Sequence, residues 1–234
     1  MMRQFRPLAL VLLVVLAFGA VVAASASARK ATPGINPPNV LFTDKGGLSI
    51  FAASGVLSGA EFKCAKNEST GGFLTSLRGT FDLLFLECLI KVLSALYLCT
   101  GSNDKVTSSI LVLGSFELRY REPTGTRTVA AFLITPVKFT CKEGATEKTL
   151  EVKGCGAGEI TPVNKAVKTG EHFTMFMTKA AADRSEITKI ANEAGNGEET
   201  CQLDASENSG TFKEAVLATT DEITGNVASA MIES

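Results

Sequence analysis

The chain has 234 residues, with 23 Lys and Arg against 24 Asp and Glu, one His, two Tyr and no Trp. Its formal charge of −1 gives it no electrostatic reason to seek nucleic acid or anionic lipid. A single His argues against a zinc site, and so few Tyr and Trp disfavour the aromatic platforms of a carbohydrate binder.

The first thirty residues are organised as a secretory signal. Arg3 and Arg6 precede an apolar run over 8–22, and small residues follow to Ala26-Ser27-Ala28, an A-x-A cleavage site. The run is about fifteen residues, short of the roughly 18–20 that cross a bilayer. Kept uncut, the uncharged stretch up to Ala28 would be long enough to act as an N-terminal anchor. The later apolar stretch 81–99 is interrupted by Asp82, Glu87 and Lys91, so no stable membrane span is expected after cleavage. A signal peptide over 1–28 makes the remainder secreted or extracytoplasmic, with attachment to the cell wall as one destination. All six cysteines (Cys64, Cys88, Cys99, Cys141, Cys155 and Cys201) then meet an oxidising medium. An even count there reads as disulfides, with fifteen connectivities open.

Residues 29–40 contain Pro33, Gly34, Pro37 and Pro38 and are expected to be an extended or disordered leader. Residues 41–234 are expected to form a single β-rich domain. Apolar and polar residues alternate in Ala60, Phe62, Cys64; in Phe116, Leu118, Tyr120; in Val137, Phe139, Cys141; and in Leu150, Val152. Period two marks half-buried strands. Further candidates are 48–52, 81–85, 128–134, 171–178, 212–217 and 227–232, punctuated by turns such as Gly101-Ser102-Asn103 and Gly195-Asn196-Gly197. The fold class is therefore all-β, a mostly antiparallel sandwich or irregular barrel stapled by disulfides, with at most short helices. Two segments resist that pattern. In 81–99, Glu87, Lys91 and Ser94 form a polar stripe of helical period, which slightly favours a helix over a strand and loop. Residues 185–194 also have helical composition, with Gly195 as a stop. A glycine turn, a strand ending in Thr and an apolar strand occur once from Gly72 and again from Gly158, a faint sign of duplication.

From Gly59 onward the chain resembles a large group of secreted β-rich proteins of soil actinobacteria for which no activity is known. The residues that carry the likeness are Phe139-Thr140-Cys141, Leu150-Glu151-Val152-Lys153-Gly154, Gly158-Glu159-Ile160-Thr161-Pro162-Val163-Asn164-Lys165 and Ala218-Thr219-Thr220-Asp221. The resemblance implies an extracytoplasmic β domain in which Cys88 and Cys99 close a loop after an apolar strand. Cys155 and Cys201 depart from its pattern, as does the apolar stretch 89–98. Cys64 and Cys141 each continue an inward apolar row behind Phe62 and Phe139, so their thiols are expected in the core and paired with each other. Cys155 and Cys201 are then left as the third pair.

No catalytic, cofactor-binding or metal-ligating residue is assigned. His172, the only histidine, would be the general base of a hydrolase, but no G-x-S-x-G elbow accompanies it. Met175 and Met177 share a face with Phe173 and read as core rather than a copper site. The carboxylates Asp183/Glu186, Glu198/Glu199 and Asp221/Glu222 read as loop charges rather than an acid–base pair. Gly71-Gly72 and the Gly154, Gly156, Gly158 run read as turns. Asn67-Glu68-Ser69 has the form of a glycosylation acceptor and places Asn67 in an exposed turn. The expected role is non-catalytic: recognition of an unknown cell-envelope or extracellular ligand at the surface, or an envelope structural part. The alternatives are an extracellular hydrolase using His172 or loop carboxylates, and a carrier with an apolar cavity inside a barrel.

Overall fold

Alternation places one row of side chains on each face of a strand, and in this chain it produces sixteen strands and no helix among the described residues. The computed structural model describes residues 33–53, 62–92, 94–102, 104, 106–123, 125, 127–177 and 187–233. The segments expected to be a signal peptide and the start of a leader, together with Asp183 and Glu186, lie outside them.

The strands are β1 (Gly34–Asn36), β2 (Leu41–Gly46), β3 (Ser49–Ala53), β4 (Phe62–Phe73), β5 (Arg78–Val92), β6 (Ala95–Gly101), β7 (Ser109–Tyr120) and β8 (Thr128–Glu143). They continue as β9 (Thr146–Thr161), β10 (Val167–Lys168), β11 (Phe173–Met177), β12 (Lys189–Ala191), β13 (Glu198–Thr200), β14 (Leu203–Glu207), β15 (Lys213–Gly225) and β16 (Ser229–Glu233). Toward one end the antiparallel pairings run β4-β5-β7-β8-β9-β11-β15-β2 and return to β4. Toward the other end they run β4-β5-β6-β8-β9-β14-β15-β3 and again return to β4. The ring closes at both levels. This is an eight-stave antiparallel barrel in which β2/β3, β7/β6 and β11/β14 each share one stave. Closure removes the unpaired edges that an open sheet would expose.

Inner rows are largely apolar, while the outer rows mix charged residues with exposed apolar ones such as Leu111, Leu113 and Leu133. Phe81 and Phe85 on β5, Ile110, Val112 and Phe116 on β7, and Phe139 on β8 belong to the main core. Lys45, Glu68, Lys138, Lys142, Glu214 and Glu222 alternate with inward residues and are exposed. No described helix is long and apolar enough to cross a membrane.

Edge-to-face rings fill much of the interior, with Phe73 and Phe116 centroids 4.7 Å apart and Phe81 and Phe132 5.3 Å apart. A small sheet, β1-β16-β10, contributes Ile35, Val167 and Ile232 to the same core. Part of the expected leader is thus an ordered strand: Ile35 is buried and Gly34–Asn36 pairs with Met231–Glu233. A second, smaller core lies outside the barrel, where Ile187 and Ile190 beside the β12-β13 hairpin cover Val129, Ala131 and Ala157.

The helical reading of 81–99 is corrected to two strands, β5 and β6. The stripe of Glu87 and Lys91 is simply outward-facing, and the apolar residues between are shared by both faces of the sheet. Leu84, for example, stands on the outer side directly across from Leu111. Residues 189–191 are likewise strand, paired with Glu198–Thr200.

The disulfides are Cys64–Cys88, Cys99–Cys141 and Cys155–Cys201. The third pair agrees with expectation, and the first two correct it. Cys64 and Cys141 do point inward, but each finds a nearer partner. β4 and β5 form a hairpin whose register sets Cys64 opposite Cys88, with Cα atoms 4.0 Å apart. Cys99 on β6 faces Cys141 on β8 in the same way, at 3.9 Å. Cys155–Cys201 ties the outer hairpin to β9.

Candidate functional site

One arc of the inner wall breaks the apolar rule. On β15 the inward row runs Ala215, Leu217, Thr219, Asp221, Ile223, so two polar residues sit in the middle of an apolar row. The neighbouring stave supplies Asp44 from β2 and Ser49 from β3; the next supplies Asn67 and Ser69 from β4. Register brings them together. Gly46 lies opposite both Asp221 and Asn67, and Asp44 lies opposite Ile223 and Ser69. Gly46 must be glycine here, because a Cβ at that position would fall on the side chains of Asp221 and Asn67.

All six polar residues are buried. Asn67 Nδ2 donates to Ser49 Oγ and to Thr219 Oγ1, both at 3.0 Å. Ser49 Oγ donates to Thr219 Oγ1 at 3.2 Å, and Thr219 Oγ1 donates to Asp221 Oδ1 at 3.0 Å. Ser69 Oγ donates to Asp44 Oδ2 at 3.1 Å. Every donor hydrogen of these side chains is therefore committed. Two acceptors remain empty, Asp44 Oδ1 and Asn67 Oδ1.

Removal from water disfavours a charged carboxylate, and a second carboxylate nearby disfavours it further. Both causes act on Asp44. Its carboxyl is pushed up to about 7 by burial and then by Asp221, against hydrogen bonds from the Ser69 hydroxyl and the Lys45 amide that favour the charged form. Burial also raises Asp221 above the ordinary carboxylate range, opposed by hydrogen bonds from Asn67 and Thr219. Among the described residues, no Lys, Arg or His lines this interior.

The polar arc faces a cavity of about 130 Å³ inside the ring. Phe51, Phe62, Phe81, Val112, Met175 and Met177 are among its apolar lining, which draws on every stave of the barrel. An enclosed apolar space of roughly 150 Å³ takes up benzene or xenon, so this one has the volume for a small molecule.

Other residues singled out in the sequence fall elsewhere. His172 is at the outer surface with Nε2 3.8 Å from Glu222 Oε1, and Glu198 and Glu199 are exposed on β13. Asp221 is corrected from a loop charge to a buried strand residue; it faces inward while its neighbour Glu222 faces His172 outside. Asn67 is corrected from an exposed turn to the barrel interior, at 1 % exposure. Met175 and Met177 are core residues, as expected. The glycines Gly71 and Gly72 lie within β4, and Gly154, Gly156 and Gly158 within β9, rather than in turns. Gly154 has φ +105°, which an L side chain rarely adopts, at the last β9 residue paired with β14, before β11 takes over the same stave.

Asp44 and the role of Asp221 escaped sequence reasoning, although one signal was present. The alternation Ala215, Leu217, Thr219, Asp221, Ile223 continues unbroken past Leu217, where the strand was expected to end. A carboxylate on the apolar phase of such a row is a buried carboxylate.

No protein-family model, curated protein or solved structure matches the chain.

Proposed function

We propose that this protein is a secreted, non-catalytic carrier that encloses a small, largely apolar molecule within its barrel. The observation that carries this reading is the cavity of about 130 Å³ walled by phenylalanine, aliphatic and methionine side chains inside a closed ring. Eight-stranded barrels have an interior that side chains just fill or that holds one small ligand. The reading moves recognition from the outer surface to the interior. Three disulfides are consistent with the extracytoplasmic setting that the signal peptide implies. A paired acid and base is the other chemistry that buried carboxyls perform. Here the lining comes from staves all around the ring, so the space is an interior and not a groove across which a polymer would lie.

Met175 and Met177 line the cavity and report on its contents. Titration of the disulfide-intact protein with benzene should shift their ¹³C-methyl NMR signals saturably. Ala130, buried on the cavity wall, supplies the control. In Ala130→Leu, checked for folding by thermal melting, the added carbons fill the space and the shifts should disappear. Unshifted methionine methyls in the unaltered protein would refute an accessible binding cavity.

A further inference from the structure

We propose that the polar arc is the recognition end of the cavity, and that it selects a small primary amine, held as its ammonium ion beside Asp44, Asn67 and Asp221. This rests on the carrier reading and deepens it by naming the ligand's head group.

The inference follows from hydrogen-bond accounting in a closed space. Buried polar groups are almost always paired, yet Asp44 Oδ1 and Asn67 Oδ1 have no partner among the described residues. Asp44 is 5 % exposed and Asn67 1 % exposed, and both line the cavity. The donors of Ser49, Ser69, Thr219 and Asn67 are already spent on one another and on the two carboxyls. Apart from a proton that a raised carboxyl retains, the arc lacks free donors, so an acceptor-only head group finds no free hydroxyl or amide hydrogen to bind.

Charge narrows the choice further. Two carboxyl groups share the arc, and no basic side chain is among the described residues that line the interior. An ammonium group supplies both missing quantities at once, three donor hydrogens and a positive charge. Burial raises both carboxyls, and a cation held beside them would favour their charged form. An oxygen-preferring divalent ion is the competing complement. It needs six to eight oxygen ligands for Ca²⁺ or retained waters for Mg²⁺, whereas the space beside these residues is walled by Phe, Val and Met. An apolar body with a cationic tip fits both halves of the cavity.

The test compares cyclopentylamine, cyclopentanol and cyclopentane, matched in shape, by NMR titration of the full disulfide-intact protein at pH 7.5. The amine should bind at least tenfold more tightly than the hydrocarbon, with the alcohol between them. Asp44→Asn should reduce that amine-to-hydrocarbon ratio at least tenfold, and Asp221→Asn should reduce it in the same direction. Equal affinity for amine and hydrocarbon, or a ratio unchanged in both variants, overturns the amine assignment while leaving the carrier reading intact. Failure of all three compounds to bind overturns both. Saturable Ca²⁺ binding that Asp44→Asn abolishes, with no amine preference, would make the arc a metal site instead.

Discussion

Asp44→Asn is expected to stabilise the protein at pH 8, although it alters a buried residue that lines the interior. The native carboxyl is held at about 7, against about 3.9 in an unfolded chain. Its folded value is raised, so the native state binds the proton more tightly than the unfolded state does. The associated stability is fully present below about pH 4 and is lost as pH rises toward 7. At about 1.4 kcal/mol for each pH unit between those values, the loss approaches about 4 kcal/mol. Asn carries no charge to bury. Urea unfolding of both proteins from pH 4 to 8 should show their stability difference growing with pH, in favour of the variant, by roughly 2–4 kcal/mol. Comparing the two at each pH cancels the exposed carboxylates they share. A difference that stays constant across the range would show that Asp44 titrates as an ordinary surface carboxyl.

The second large effect concerns the cross-strand disulfides. Cys64–Cys88 and Cys99–Cys141 close segments of 24 and 42 residues. Loop-closure entropy in the unfolded chain makes these worth about 3.5 and about 4 kcal/mol respectively. The double variant Cys64→Ser/Cys88→Ser should lose close to the first amount, and Cys99→Ser/Cys141→Ser close to the second, in reversible urea unfolding. Removing all four sulfurs should leave little folded protein at 37 °C, since the sum is comparable to the whole stability of an ordinary domain. Peptide mapping of the unreduced protein checks the premise. It should give 64–88, 99–141 and 155–201 links, and a 64–141 link would contradict the register of the β4-β5 hairpin.

Period-two alternation was enough to read the all-β class, and the inner rows of β7 and β9 follow it closely, whereas β8 slips by one residue between Ile134 and Val137. Phe116, Leu118 and Tyr120 are buried as their spacing requires, as are Leu150 and Val152. Alternation failed where both faces of a strand are apolar. On β5, Leu84 and Leu86 face outward next to inward Phe85, and a continuous apolar run does not distinguish strand from helix. Two disulfides were misplaced because Cys88–Cys99 followed the resemblance and Cys64–Cys141 followed inward-facing rows, with no strand register to choose between inward thiols. Had 78–92 been taken as a strand, the hairpin with 62–73 would have set Cys64 against Cys88 by register alone. The leader misled for another reason: Pro33, Pro37 and Pro38 mark a broken chain, while Ile35 and Val40 are anchored by core contacts that composition does not reveal.

The site was less legible than the fold. Asn67, Ser69 and Asp44 look like solvated residues in any local window, because only closure of the ring turns their side of the strand inward. On β4 the inward residues are Phe62 and Cys64 and then Asn67 and Ser69, so the phase slips by one residue midway along the strand. A slip of one exchanges the two faces of a strand. Strict alternation from Cys64 would have placed Asn67 outside.

The central claim is that two carboxyl groups lie together inside a closed barrel, with no basic side chain among the described residues lining it. ¹³C-carboxyl NMR of aspartate-labelled protein, titrated from pH 3 to 9, addresses it directly. Asp44, assigned by the loss of its signal in Asp44→Asn, should titrate near 7, with Asp221 also above the usual aspartate range. Both signals moving through midpoints near 4, as solvated aspartates do, would contradict the account.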